Sequence, residues 1–247
     1  MDVVQGYPHP CLAGARDGDH VPARHQPQPM PGLCLFRLPY AILLWHNRWE
    51  AEEQMLVGKK MVLRTLRETD LDRLYDLAAD VREMGDYWPL GLPSEIRWKR
   101  RFSESGWWEE DHGGLLITDH QDNILGHILF FKPITYGNTY ELGYRIYRSE
   151  NWGKGYMSGA VSLITAFLFE TKPVDRIQAT TIAGGEGSEA VLKKCGFQFE
   201  GVMRKAVFHQ GRNQDLHLFS LLREDCGPLK DRLGWSVELP GPGRDEG

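Results

Sequence analysis

Tyr140-Glu-Leu-Gly-Tyr-Arg-Ile-Tyr147, with Asn151-Trp-Gly-Lys-Gly-Tyr-Met-Ser158 close behind it, reads as a strand delivered through a glycine-rich turn onto the start of a helix. The helix follows from spacing: Met157, Ala160, Val161, Ile164, Phe167 and Leu168 recur at helical intervals up to Thr171, and Pro173 stops the pattern. Glycine lets main-chain N–H groups approach an oxygen atom closely. The first helical turn adds unpaired donors and the positive end of the helix dipole. The junction therefore suits a pyrophosphate, although Gly153-Lys-Gly155 alone also fits a tight turn with close strand-to-helix packing.

Working outward, Lys60 to Arg64 alternates like a strand, and Thr69-Asp70 stands where a cap belongs for a helix through Leu71, Leu74, Leu77 and Ala78. After the loop Trp88 to Pro93, Ser94 is placed to cap a second helical piece with Ile96, Trp98 and Phe102. Gly114 to Thr118 and Ile124 to Phe131 form an antiparallel hairpin about the Asp119 to Asn123 turn, and Tyr140 to Tyr147 extends that sheet. Arg176 to Ile182 reads as a strand, Ser188 to Lys194 as a short helix ending at Gly196, and Gln198 to Phe208 with Asp215 to Leu222 as a closing pair of strands. The order predicts a mixed α/β (α+β) fold, a mostly antiparallel central sheet flanked by helices.

Before this region, residues 1 to 32 hold Pro8, Pro10, Pro22, Pro27, Pro29 and Pro31, a density that blocks helix and strand alike, and disorder is expected. Leu35 to Gln54 offers a short amphipathic helix after Pro39. The expected organisation is an extension over 1–58, a folded domain over 59–226 and a loosely held tail over 227–247.

The chain has 247 residues, 26% of them charged, with a formal net charge of -5, which argues against a nucleic-acid partner because phosphate binding needs a concentrated basic face. Cys11, Cys34, Cys195 and Cys226 show no paired spacing, so neither a metal site nor a disulfide framework is expected. The apolar run Leu33 to Trp45 is broken by Arg37 and Pro39 and falls short of the ~20 residues a membrane span needs. With no signal-peptide pattern at the start, the expectation is a cytoplasmic protein without a membrane partner, as a monomer or homodimer.

Trp152-Gly-Lys-Gly155-Tyr-Met157 resembles the acyl-CoA signature of the GNAT superfamily, in the form found in its ribosomal-protein N-terminal acetyltransferases. Leu63-Arg-Thr-Leu-Arg67 with Asp70 resembles the opening strand and helix of that subgroup, and Ser188 to Phe197 its last helix and turn; Leu216 to Arg223 fits as well. The resemblance covers about Lys59 to Cys226. It implies an N-acetyltransferase that moves an acetyl group from acetyl-CoA, with no metal, to the primary amine of a protein N-terminus or of a small molecule such as an antibiotic or polyamine. Two departures stand out: Gly185 lies where asparagine is common, and Leu192 where many members carry a tyrosine acid. They keep open a second reading, a domain that binds acyl-CoA as a sensor or interaction module without transferring the acyl group.

Acetyl transfer to an amine needs a neutral nucleophile, a polarised carbonyl and a proton for the departing thiolate. Glu141 is the first candidate base, against the alternative of a solvated or salt-bridged strand residue, and His127 is the second. By resemblance Ser188 is placed to protonate the thiolate; as a serine at a helix start it also reads as a cap. The resemblance puts the cosubstrate on the main chain of Leu142, Gly143 and Tyr144, with Gly143 easing a bulge, and on Trp152, Gly153, Lys154, Gly155, Tyr156, Met157 and Ser158, with Arg148 in support. Tyr87, Trp88, Trp98, Trp107 and Trp108 lie in the segment that the resemblance assigns to the acceptor side, and most read as core. Glu109, Glu110 and Asp111 read as a solvated acidic loop.

Overall fold

A computed structural model describes residues 55–88, 91–133 and 137–233. Of the extension expected over residues 1–58, residues 1–54 lie outside the described residues.

The runs identified above form one eight-stranded sheet: β1 (Met55–Val57), β2 (Val62–Thr65), β3 (His112–Thr118), β4 (Ile124–Phe131), β5 (Thr139–Ile146), β6 (Arg176–Ile182), β7 (Gln198–His209) and β8 (Arg212–Leu222), in the order β1-β2-β3-β4-β5-β6-β8-β7. Every neighbouring pair is antiparallel except β5 and β6. A parallel pair needs a crossover, and the apolar helix α3 (Tyr156–Thr171) supplies it. The other helices are α1 (Leu71–Ala79), α2 (Glu95–Ser105) and α4 (Glu186–Lys194).

Side-chain alternation divides the core into two layers. Leu63, Ile117, Tyr140, Leu142, Ile177 and Ala179 pack on the α3 and α4 side with Val161, Ile164 and Leu192. On the other face Leu116 and Tyr147 meet Leu71 and Leu74 of α1, with Trp98, Phe102 and Trp107 against them.

Three expectations change in detail. Asp70 does not cap α1 with its side chain; its carboxylate accepts from the Arg67 N–H at 2.8 Å and takes two bonds from Arg64, at 2.6 and 2.8 Å. A buried arginine on β2 requires a counter-charge, and Asp70 meets that need. The sheet also includes β1, three residues assigned to the extension. The first seven residues of the expected tail dock on α3: Leu229 and Leu233 pack against the core, and the Leu229 N–H donates to Glu170 at 2.8 Å.

Candidate active site

The parallel pairing of β5 with β6 has four rungs, from Thr139 and Arg176 to Leu142 and Ala179, whereas β5 stays paired with β4 through Ile146. Beyond Leu142 the two parallel strands part. No bulge occurs at Gly143, which stays in unbroken register with Leu129; the opening comes from lost pairing on the β6 side. The Tyr147 N–H donates to the Leu125 carbonyl on β4, so by strand alternation the Tyr144 and Ile146 main-chain groups face the opening. The Ile146 carbonyl there accepts from Trp152 Nε1 at 3.2 Å.

The opening leads to the glycine turn. Gly153 and Gly155 have φ of +71° and +85°, a region costly for side chains bearing Cβ, and no atom lies within 4 Å of where a Cβ would stand on either. Gly155 precedes the first residue of α3, and the Gly159 N–H closes the first helical bond to the Gly155 carbonyl. The N–H groups of Tyr156, Met157 and Ser158 thus have no intrahelical acceptor at the positive end of a 16-residue helix. Open space above left-handed glycines and a row of unpaired donors fit a pyrophosphate. The Met157 side chain belongs to the core, so its share is main chain alone. Lys60 Nζ donates to the Lys154 carbonyl at 3.2 Å, bringing two cations to the rim, while Arg148, exposed, turns toward Glu150.

Glu141 projects to the α1 and α2 side, one residue before the strands part. Gln178 Nε2 and Thr180 Oγ1, both on β6, each donate to its carboxylate at 2.9 Å. Arg176, the arginine on that face of β6, is engaged instead by Glu200. Both donors are neutral, so among the described residues Glu141 is hydrogen-bonded and not salt-bridged. Beside it lies a hollow of about 370 Å³ lined by Asn138, Thr139, Arg176, Gln178, Glu200 and Leu218.

Ser188 is not a helix cap. It is the third residue of α4, behind the cap residue Gly185, and its Oγ lies 2.9 Å from the Tyr144 hydroxyl across the opening. The glycine at 185 has a local cause: a Cβ there would stand 2.8 Å from Thr181 Oγ1 and 2.9 Å from the Ile182 carbonyl. Leu192 is fully buried in the core.

His127 is partly buried, 2.7 Å from the Tyr147 hydroxyl and edge-on to Trp88. Desolvation, with Arg145 nearby, pushes its pKa down to about 3, so the ring is neutral. Arg145 donates to the Ala78 and Glu83 carbonyls, fixing the segment after α1 over the sheet. The same segment is held by His209 and Gln210 at the Asp86 carbonyl, and the Trp152 ring touches Gly85. These contacts were invisible in the sequence, because main-chain carbonyls leave no pattern. The aromatic residues divide: Trp98 and Trp107 stack edge-to-face within the second core layer, whereas Tyr87 is half exposed beside Gly184. The acidic loop is engaged locally, with Asp111 on Lys132 and Glu109 on His112.

Among the described residues no helix is long and apolar enough to cross a membrane, and Cys195 and Cys226 are free thiols.

Comparison with known proteins agrees with this geometry. The acetyltransferase (GNAT) domain family matches residues 60–198. A probable N-acetyltransferase of Bacillus subtilis, YjcK, is 30% identical over 183 residues, covering 69% of this chain and 98% of that protein. The ribosomal protein uS5-alanine N-acetyltransferase of Escherichia coli is 25% identical over 186 residues, covering 70% and 93%. Among solved structures, the spermidine N-acetyltransferase of Vibrio cholerae in complex with CoA and spermine has the same fold, with a TM-score of 0.59 at 20% identity, over 67% of this chain and 96% of that one. The chain belongs to the GNAT acetyltransferase family and is an acyltransferase.

Proposed function

We propose that this protein transfers an acetyl group from acetyl-CoA to a primary amine by direct attack of the amine on the thioester, with Glu141 as the general base. The observation that carries the reading is the Glu141 carboxylate, held by Gln178 and Thr180 beside the point where β5 leaves β6. Acetyl-CoA supplies an activated acyl carbon and a thiolate leaving group. The main-chain groups of Tyr156 to Ser158 hold its pyrophosphate, Gly153 and Gly155 keep the approach clear, and main-chain N–H groups of β5 facing the opening, near Tyr144, polarise the carbonyl.

An alkyl amine with a pKa near ~10.4 is mostly protonated at neutral pH, so a carboxylate on the acceptor side must take its proton before attack. Glu141 meets three requirements for this: it faces that side, it is partly buried, and its partners fix the carboxylate without neutralising it. Ser188 stands on the opposite face, on the leaving-group side. The acceptor is a protein N-terminus or a small amine, the two classes named among the relatives. The folded domain, expected over residues 59–226, extends on this reading to β1 at one end and to the residues docked on α3 at the other.

Acetyl-CoA turnover against N-terminal peptides and small amines, with acetyl-CoA binding measured in parallel, tests the proposal. Turnover with one class names the acceptor. Binding without release of CoA across both classes would favour the acyl-CoA-binding module, and absence of binding would overturn both readings.

A further inference from the structure

We infer that the Tyr144 phenol donates the proton to the departing CoA thiolate and that Ser188 is the residue that positions it. The inference rests on the acetyl-transfer reading and assigns a second catalytic residue within it.

Glu141 and Tyr144 are three residues apart on one strand, so their side chains leave opposite faces of the sheet at the same opening. Glu141 projects to the α1 and α2 side, Tyr144 toward α4, where its hydroxyl meets Ser188 Oγ at 2.9 Å. Acyl transfer has matching polarity: the amine adds from one side of the acyl carbon and the thiolate departs from another. The opening thus has a proton acceptor on one face and two hydroxyls on the other.

Acidity chooses between the hydroxyls. A phenol has a pKa near ~10 and a thiol one near ~8.5, so transfer from tyrosine to a thiolate is only mildly uphill, whereas an alkyl hydroxyl is a far weaker acid. A general acid works best when its pKa lies near that of the group it protonates. Ser188, in the first turn of α4, is placed to hydrogen-bond the phenol oxygen as charge develops there, at the positive end of that helix. Since Ser188 does not cap α4, this contact accounts for its hydroxyl.

The balance is simple. Glu141 passes the first ammonium proton on to solvent before attack; the freed amine nitrogen then bonds the acetyl carbon, and the Glu141 carboxylate takes the surplus amine proton. The carbon–sulfur bond breaks with its electron pair on sulfur. The Tyr144 proton passes to that sulfur to give the CoA thiol. Glu141 and Tyr144 then return to their starting states by proton exchange with solvent.

The test compares wild type, Tyr144→Phe and Ser188→Ala for binding of CoA and of desulfo-CoA by calorimetry across pH, together with kcat for acetyl-CoA and whichever amines turn over. A hydroxyl on the sulfur makes wild type prefer CoA over desulfo-CoA by about twofold to tenfold, the range of one hydrogen bond. Tyr144→Phe should abolish that preference and lower kcat by about 10²-fold or more with acetyl-CoA affinity kept, and Ser188→Ala should cost about tenfold. An unchanged CoA preference in Tyr144→Phe, or a larger loss in Ser188→Ala than in Tyr144→Phe, would overturn the assignment. Should Tyr144→Phe fold poorly, a fluorotyrosine placed at 144 carries the test: a more acidic phenol moves the alkaline limb of the kcat profile to lower pH, and an unmoved limb counts against the proposal. Failure of the acetyl-transfer reading would appear separately, as no turnover by wild type.

Discussion

At the glycine turn the site is made of main chain: the N–H groups of Tyr156 to Ser158, above glycines at positive φ. Back along β5, the wall around Glu141 is made of side chains, with Gln178 and Thr180 on its carboxylate and Arg176 on Glu200. The difference teaches where each half is vulnerable. A main-chain cradle tolerates changes of its side chains and fails through backbone conformation. A side-chain wall keeps its shape after single substitutions that remove its chemistry.

The most damaging change expected lies outside both halves, at the buried charge that joins β2 to the start of α1. Arg64 is 2% exposed and bonded to Asp70 and Asp122, so Arg64→Met leaves a buried carboxylate without its cation. Loss of one partner from such a pair costs about 3–5 kcal/mol, read as a lower denaturant midpoint. The pair also sets an acid limit. Burial raises the Asp70 pKa, but the Arg64 bonds and the Arg67 N–H outweigh it and hold the carboxyl below its ordinary value of 3.8. A carboxylate depressed in the native state adds stability that is complete above its unfolded pKa and is lost as pH falls through its native one. Wild type should therefore lose this contribution below about pH 3.8, and Asp70→Asn, less stable throughout, should show a flatter acid limb.

Within the wall, Glu141→Gln should lower kcat/KM by about 10²–10³-fold at neutral pH, with partial recovery as pH rises toward the pKa of the amine. Acetyl-CoA affinity and the melting temperature should stay near wild type, because Gln keeps the side chain's size and an acceptor for Thr180. His127→Gln is the control: because the histidine is already neutral and bonded to Tyr147, its loss should leave kcat within about threefold of wild type. A Glu141→Gln variant with full turnover across pH would place the base elsewhere.

The same contrast explains what the sequence makes legible. The cradle was readable because glycine spacing, helical periodicity and Pro173 are local signals, and so were the strand runs of the hairpin. The capping alternative for Ser188 fails because helix starts blur by a residue or two, and here α4 begins at Glu186. The Gln178 and Thr180 clamp on Glu141, the Tyr144 contact with Ser188 and the Arg145 anchor join residues more than thirty positions apart. Nothing in their local sequence marks them. The bulge expected at Gly143 was a local explanation for an opening created by divergence of whole strands.

For the cradle itself, Gly155→Ala should cost about 1–2 kcal/mol in stability, because a Cβ disfavours the φ of +85°. Acetyl-CoA affinity should fall if the turn relaxes. Since no atom would touch the new methyl group, steric exclusion is not the cause, and a small loss of stability with a large loss of affinity would identify the backbone conformation as the binding element.

The smallest effect belongs to the cations on the rim. Lys154 sits between the two glycines, and the Lys60 ammonium bonds its carbonyl in an exposed contact. Exposed charges act through a solvent that screens them, so Lys154→Ala should weaken acetyl-CoA binding by no more than about threefold at physiological salt, and by less as salt is raised. The Lys154 main chain, retained in alanine, still carries the turn and still accepts from Lys60. Calorimetric titration at two salt concentrations separates the alternatives. A salt-sensitive loss of a few-fold leaves the cradle a main-chain device trimmed by charge. A loss of a hundredfold that survives high salt would mean that the lysine side chain, and not the amide row behind it, holds the phosphates.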